Sequence, residues 1–209
     1  NPGKVIGGSI TFEGQDVLAK TPAEMVNFRG NEVAMIFQNP MTCLNPVYTI
    51  GNQLVEALRA HDKKISKEEA EKRAMEMMEM VGINNVQKRM KQYPHEFSGG
   101  MRQRVGIAIA MTFNPELLLA DEPTSALDVS VQRQVVREML KLRELFGTAI
   151  VIVTHDIGVV RAMADTVLVL KNGKTVEYGT ADRVLDHPRD PYTRKLLEAV
   201  PKLQRKVRV

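Results

Sequence analysis

At 209 residues, the chain can bury a full core as one domain or as one domain with an inserted lobe. The single cysteine, Cys43, excludes an internal disulfide framework and a cysteine-cage metal site and fits a reducing compartment, while no apolar run approaches the ~20 residues of a membrane span. Aromatics are only 5% with no tryptophan, which argues against a nucleic-acid partner read by base stacking; the net charge of +4 fits plain solubility or attraction to a phosphate-bearing ligand.

Asn1 to Gly8 reads as a loop, Ser9 to Phe12 as a short strand, and Glu13 to Asp16 as a turn. Val33 to Phe37 is an apolar run of strand length ending at Gln38. Asn39 to Pro46 is then the loop at the strand's carboxyl end, the place where many α/β sheets face a crevice. From Thr49 to Arg104 the pattern turns helical. Ile50 to Ala60 is amphipathic, and Ser66 with Glu69 has capping-box spacing. The helix that box opens runs to about Val81 and stops at Gly82. Met75, Met77, Met78 and Met80 crowd its last turns, either as core filler or as an adaptable partner surface. Tyr93-Pro94-His95-Glu96 breaks the next helix just before Ser98.

After Asp128, Val129 to Phe146 reads as a long amphipathic helix. Ala149 to Val153 is a continuous aliphatic strand of the kind buried on both faces in parallel sheets, and it leads to Thr154-His155-Asp156. A helix to Met163 and a strand over Thr166 to Leu170 follow. Asn172-Gly173 signals a two-residue hairpin into Thr175 to Tyr178. Thr180 to Leu185 and Pro191 to Val200 read as closing helices, with a basic tail over Lys202 to Val209.

The chemistry gathers between Phe97 and Asp128. An aliphatic strand delivers Asp121 and Glu122 on adjacent positions, so the two carboxylates point different ways. One suits Mg²⁺ and the other suits activation of a water; two solvated acids at a strand end is the plainer reading. Ser98-Gly99-Gly100 opens a helix whose free N–H groups suit a phosphate, or it is a simple helix start with Ser98 as N-cap. His155 can hydrogen-bond a developing phosphate charge or be a satisfied polar residue at a strand end. Gln38 can ligate a metal or cap a strand.

Taken together, Gln38, Ser98-Gly99-Gly100, Asp121-Glu122, Asp128 and His155 resemble the Q-loop, signature sequence, Walker B strand, D-loop and switch histidine of the ABC-transporter ATPase family, in order and approximate spacing. The resemblance covers nearly the whole chain. Phe37 to Pro46, Pro94 to Arg104 and His187-Pro188-Arg189-Asp190-Pro191-Tyr192-Thr193 resemble the dipeptide/oligopeptide (or nickel) importer branch. Cys43 stands where that branch usually has Ser, Asp190 where it has His, and Met101 where the family commonly has Gln.

The resemblance implies an α/β, P-loop NTPase-like core with an inserted helical subdomain. Residues 1–48 would be the first part of the core, 49–113 the helical subdomain, 114–186 the rest of the core and 187–209 a peptide-importer-type extension. It implies ATP and Mg²⁺ as cofactors. Asp121 and Gln38 would hold the metal, Glu122 would be the general base, and His155 would contact the γ-phosphate. Ser98, Gly99 and Gly100 would touch the ATP of a second ATPase subunit, in a homo- or heterodimer, with Asp128 at the dimer interface. Transmembrane permease subunits would dock between core and helical block, a solute-binding protein would act indirectly, and the site of action would be the cytoplasmic face of the membrane. A non-transport ABC ATPase and a non-catalytic fragment that pairs with an intact ATPase are the alternatives. No segment of the sequence fits G-x-x-x-x-G-K-S/T; Gly173-Lys174-Thr175 carries only the last three letters inside the expected hairpin. The family's phosphate loop is therefore expected ahead of Asn1, and the 209 residues alone are expected to bind ATP weakly and to turn none over.

Overall fold

A computed structural model describes residues 3, 5–38, 43–125 and 127–200. The loop expected over 39–46 lies partly, and the basic tail over 202–209 wholly, outside the described residues.

Three short aliphatic runs form one parallel sheet in the order β3 (Val33–Ile36), β4 (Leu117–Asp121), β5 (Ala149–Val153). Register places Met35 beside Leu119, Leu119 beside Val151, and Asp121 beside Val153. Because side chains alternate across a strand, one face collects Ala34, Ile36, Leu118 and Ala120, all buried. The other collects Met35, Val151 and Val153, which are 43%, 52% and 59% exposed. The run Ala149–Val153 is thus not buried on both faces. Among the described residues it is an edge strand paired with β4 alone, covered on one side and open on the other.

The covered face rests on helices. α2 (Ile50–His61) and α3 (Lys67–Met80) precede the short α4 (Val86–Arg89), and α5 (Gly99–Ala110) leads into β4. α6 (Val129–Phe146) joins β4 to β5. Val105, Ile107, Val135, Met139 and Leu142 share one core with the buried sheet residues. Met77 and Met78 are buried there, and Met75 and Met80 pack against the same cluster, so the methionines are core filler. Ser66 Oγ accepts from Glu69 N at 3.1 Å, one half of the expected capping box. The full reciprocal box lies earlier: Thr21 and Glu24 cap α1 (Pro22–Asn31), a helix interrupted at Arg29 and Gly30. Sequence reading left that stretch unassigned, although Thr21, Pro22 and Glu24 carry the start signal. Thr11–Phe12 and Gln15–Asp16 form a small hairpin, β1 and β2, so the expected turn is only Glu13-Gly14.

Arg104 ties α5 to the end of α3. Its Nη1 donates to Gly82 O at 2.6 Å, just past the end of α3, and its Nε to Gly100 O at 3.4 Å. Burial pushes its pKa down, and the nearby Glu138 of α6 acts in the other direction. α5 also packs tightly on α6: a Cβ on Gly100 would overlap Val131 Cγ1.

Beyond β5, α7 (Ile157–Met163) leads into the hairpin β6 (Thr166–Lys171) and β7 (Lys174–Thr180). Asn172 and Gly173 have φ of 50° and 75°, as a type I′ turn demands. α8 (Ala181–Asp186) and α9 (Pro191–Glu198) close the described chain. Buried Glu177 of β7 accepts from Arg189 N at 2.8 Å and Asp190 N at 3.2 Å, and Asp190 caps α9 through Tyr192 N at 2.7 Å. The Arg189 amide leads the interactions that hold the Glu177 carboxyl below its ordinary pKa. Asp190 is thus a helix cap.

Two outcomes follow from this packing. Gly100→Ala should destabilise the chain by about 1–3 kcal/mol, and Val131→Ala in the same chain should recover most of that loss. Equal losses in the single and double variants, measured by denaturant unfolding, would show that Val131 is not the obstacle. The open sheet face should make the 209-residue chain self-associate with rising concentration, and Val151→Lys with Val153→Lys should suppress it. A concentration-independent monomer mass by light scattering would contradict this.

Candidate active site

Because β3, β4 and β5 are parallel, their carboxyl ends lie along one edge, with β4 in the middle. Neighbouring strands are ~4.8 Å apart, so side chains just beyond these ends can meet. Gln38 follows β3, Glu122 follows β4, and His155 follows β5. Gln38 Nε2 donates to Glu122 Oε2 at 2.8 Å, and His155 Nδ1 lies 2.8 Å from Glu122 Oε1. Both oxygens of one carboxylate are engaged, each by a different neighbouring strand.

The backbone at Glu122 makes this possible. Its N–H donates to Val153 O at 2.8 Å, continuing the β4–β5 ladder by one residue. Its φ is then 42°, a left-handed value that costs a non-glycine residue about 1 kcal/mol or more. That turn takes Glu122 off the line of the strand, while Asp121 stays in the ladder opposite Val153. Ser125 helps to fix the turn, since its N–H and hydroxyl both donate to Glu122 O at 3.2 Å. The expectation that the two acids point different ways is met by a change in backbone conformation as well as by strand alternation.

A carboxylate only accepts hydrogen bonds, so the His155 nitrogen facing it carries the hydrogen. In the neutral ring Nε2 is then an acceptor; in the charged ring it is a second donor. The His155 side chain is 76% exposed and that of Glu122 is 24% exposed, so the histidine reaches the pair from the solvent side. Gln38 spends its amide nitrogen on Glu122, which leaves its carbonyl oxygen as the end suited to a cation. Among the described residues no three His, Cys, Asp or Glu side chains cluster as a metal site. Asp121 offers a carboxylate and Gln38 an amide carbonyl, hard oxygen donors of the kind that take Mg²⁺.

Ser98 is the N-cap of α5, accepting from Met101 N at 3.3 Å. Gly100 is buried, and a side chain there would meet Val131 of α6. Gly99 differs: the nearest atom a Cβ would meet is Leu127 Cδ2 at 3.7 Å. Asp128 caps α6 through Ser130 N and Val131 N, both at 3.0 Å, and through Ser130 Oγ at 2.7 Å. Those bonds, the Ser130 hydroxyl first, hold its carboxyl below the usual aspartate value. Ser98, Gly99 and Asp128 thus sit together at the packed N-termini of α5 and α6. Lys174 and Thr175 belong to the β6–β7 ladder and Gly173 to its turn, so this triplet is not a phosphate loop.

Sequence reasoning missed two polar residues. Gln132 Nε2 donates to Asp156 Oδ2 at 2.7 Å, joining α6 to the residue beside His155. The only signal was Asp156 itself, an N-cap residue opening a helix.

Comparison with known proteins bears on the family and the fold. Residues 3–125 match the family model for the ABC transporter, and residues 176–208 match that for the oligopeptide/dipeptide transporter, C-terminal region. The oligopeptide transport ATP-binding protein OppD of Bacillus subtilis is 52% identical over 203 residues, covering 97% of this chain and 56% of the relative. The dipeptide transport ATP-binding protein DppD of Lactococcus lactis is 47% identical over 194 residues, 93% of this chain and 56% of the relative. The chain therefore spans a little over half the length of these relatives. Among solved structures, the dimeric post-hydrolysis state of the ATP-binding cassette MJ0796 bound to ADP and Pi superposes with a TM-score of 0.74 at 29% identity, covering 84% of this chain and 74% of that one. The fold is that of an ABC cassette, and the chain belongs to the ABC transporter family.

Proposed function

We propose that this chain is part of the ATP-binding subunit of a peptide-importing ABC transporter, inactive by itself, and that in the whole subunit Glu122 activates the attacking water. The observation that carries the reading is the Glu122 carboxylate held between Gln38 and His155 at 2.8 Å on each side. The match of residues 176–208 to the oligopeptide/dipeptide transporter C-terminal region favours peptide import over a non-transport ABC ATPase. The relatives named for oligopeptide and dipeptide transport favour it too.

Bound ATP would supply the phosphorus electrophile, and Mg²⁺ would neutralise charge on its oxygens. Asp121 and the Gln38 carbonyl would hold the metal. Glu122 orients a water and takes its proton onto a carboxylate oxygen. His155 steadies that carboxylate through Nδ1 and, in the charged ring, offers Nε2–H to the developing phosphate charge. Ser98, Gly99 and Gly100 would face the nucleotide of a second ATPase subunit, with Asp128 beside the subunit interface. The fourfold division at residues 48, 113 and 186 belongs to the same reading. So do permease subunits docked between core and helical block, a solute-binding protein acting through them, and work at the cytoplasmic face of the membrane. Among the described residues no helix is long and apolar enough to cross a membrane.

In the full-length gene product, Glu122→Gln should keep ATP affinity within about threefold and lower turnover by ~10²–10⁴-fold. Phosphate release and nucleotide binding measured side by side would check this. Native turnover in that variant would remove Glu122 from the role of base.

A further inference from the structure

His155 is mostly exposed, and among the described residues the one side chain that holds its ring is Glu122. The backbone of residues 154–156 therefore carries much of its positioning. That backbone is fastened through Asp156. Asp156 Oδ1 accepts from Gly158 N at 2.7 Å and Val159 N at 3.2 Å, which completes the N-cap of α7. Asp156 N donates to Thr154 Oγ1 at 3.1 Å, closing the turn that carries His155. A Cβ on Gly158 would stand 3.0 Å from Asp156 Oδ1, so the cap is tightly fitted.

The second oxygen has a different job. Oδ2 accepts from Gln132 Nε2 at 2.7 Å, a tie to α6 that the cap does not need. Gln132 N in turn donates to Asp128 O at 2.8 Å, within the helix turn that Asp128 caps. A path of hydrogen bonds and one peptide link thus runs from Asp128 through the first turn of α6 to Gln132 and Asp156, along the chain to His155, and on to Glu122.

We infer that Gln132 is a positioning residue: it fixes the Asp156 turn so that His155 meets Glu122, and it couples that histidine to the Asp128 end of α6. The inference rests on the roles proposed above for Glu122 and His155. Gln132 touches neither, so it acts only through Asp156. Losing its amide leaves the α7 cap intact but frees the His155 turn from α6.

The test uses Gln132→Leu in the full-length gene product, with Gln132→Met as a parallel variant that keeps side-chain length without a donor, and His155→Ala as control. Four quantities are read: kcat and KM for ATP hydrolysis, the melting temperature, and the ¹⁵N resonances of the His155 imidazole. The inference predicts that kcat falls about tenfold, with KM within about twofold, the melting temperature within about 4 °C and the Nδ1 resonance displaced. Native kcat in both Gln132 variants, where His155→Ala has lost turnover, would overturn this inference alone. A fall in kcat with an unmoved imidazole resonance would also overturn it, because the loss would then not pass through His155. Native turnover in His155→Ala would remove the proposed role of His155 and this inference with it.

Discussion

Everything at the site depends on one constraint: three parallel strands end side by side, with the strand that carries the acids in the middle. A parallel ladder fixes both the spacing and the level of its carboxyl ends. With β4 between β3 and β5, a residue just past β4 has a neighbour on each side. Glu122 occupies that place, and Gln38 and His155 supply the two neighbours. Exchange of the strand order would separate the same three residues by an extra strand, or ~4.8 Å, and break one of the two contacts. The chemistry is therefore a consequence of topology before it is a consequence of side-chain identity.

The second constraint is the seam between α5 and α6. Gly100 lets the two helices approach, and Arg104 binds the end of α3 to α5. Ser98, Gly99 and Asp128 lie at the start of these helices. The two halves of the polar surface, one around Glu122 and one around Ser98, are thus carried by elements that share a single core. Movement of one helix start relative to the other requires that packed seam to yield.

Much of this was legible in the sequence because the signals were local. The aliphatic runs at Val33, Leu117 and Ala149 announced the strands, Asn172-Gly173 announced the hairpin, and Asp128 and Ser98 announced helix starts. The strand ends delivered the polar residues in the right order. What escaped was set by long-range packing. No local pattern says that Ala149–Val153 lies at an edge with one face open, because a strand buried on both faces has the same composition. The close packing at Gly100 also escaped, because the atom a side chain there would meet is on Val131, far along the chain. The tie from Gln132 to Asp156 crosses 24 positions and shows no spacing rule. The helix at Pro22–Asn31 is a different failure, since its capping box was present and went unread.

The central claim is that Glu122 is the group presented to the attacking water by the residues on either side of it. The most direct measurement is a structure of the full-length gene product trapped with Mg²⁺ and a non-hydrolysable ATP analogue. The account predicts an ordered water within about 3 Å of a Glu122 oxygen, in line with the terminal phosphate, with Gln38 and His155 still beside that carboxylate. A Glu122 carboxylate turned away from the terminal phosphate, with the water held by another group, would contradict it.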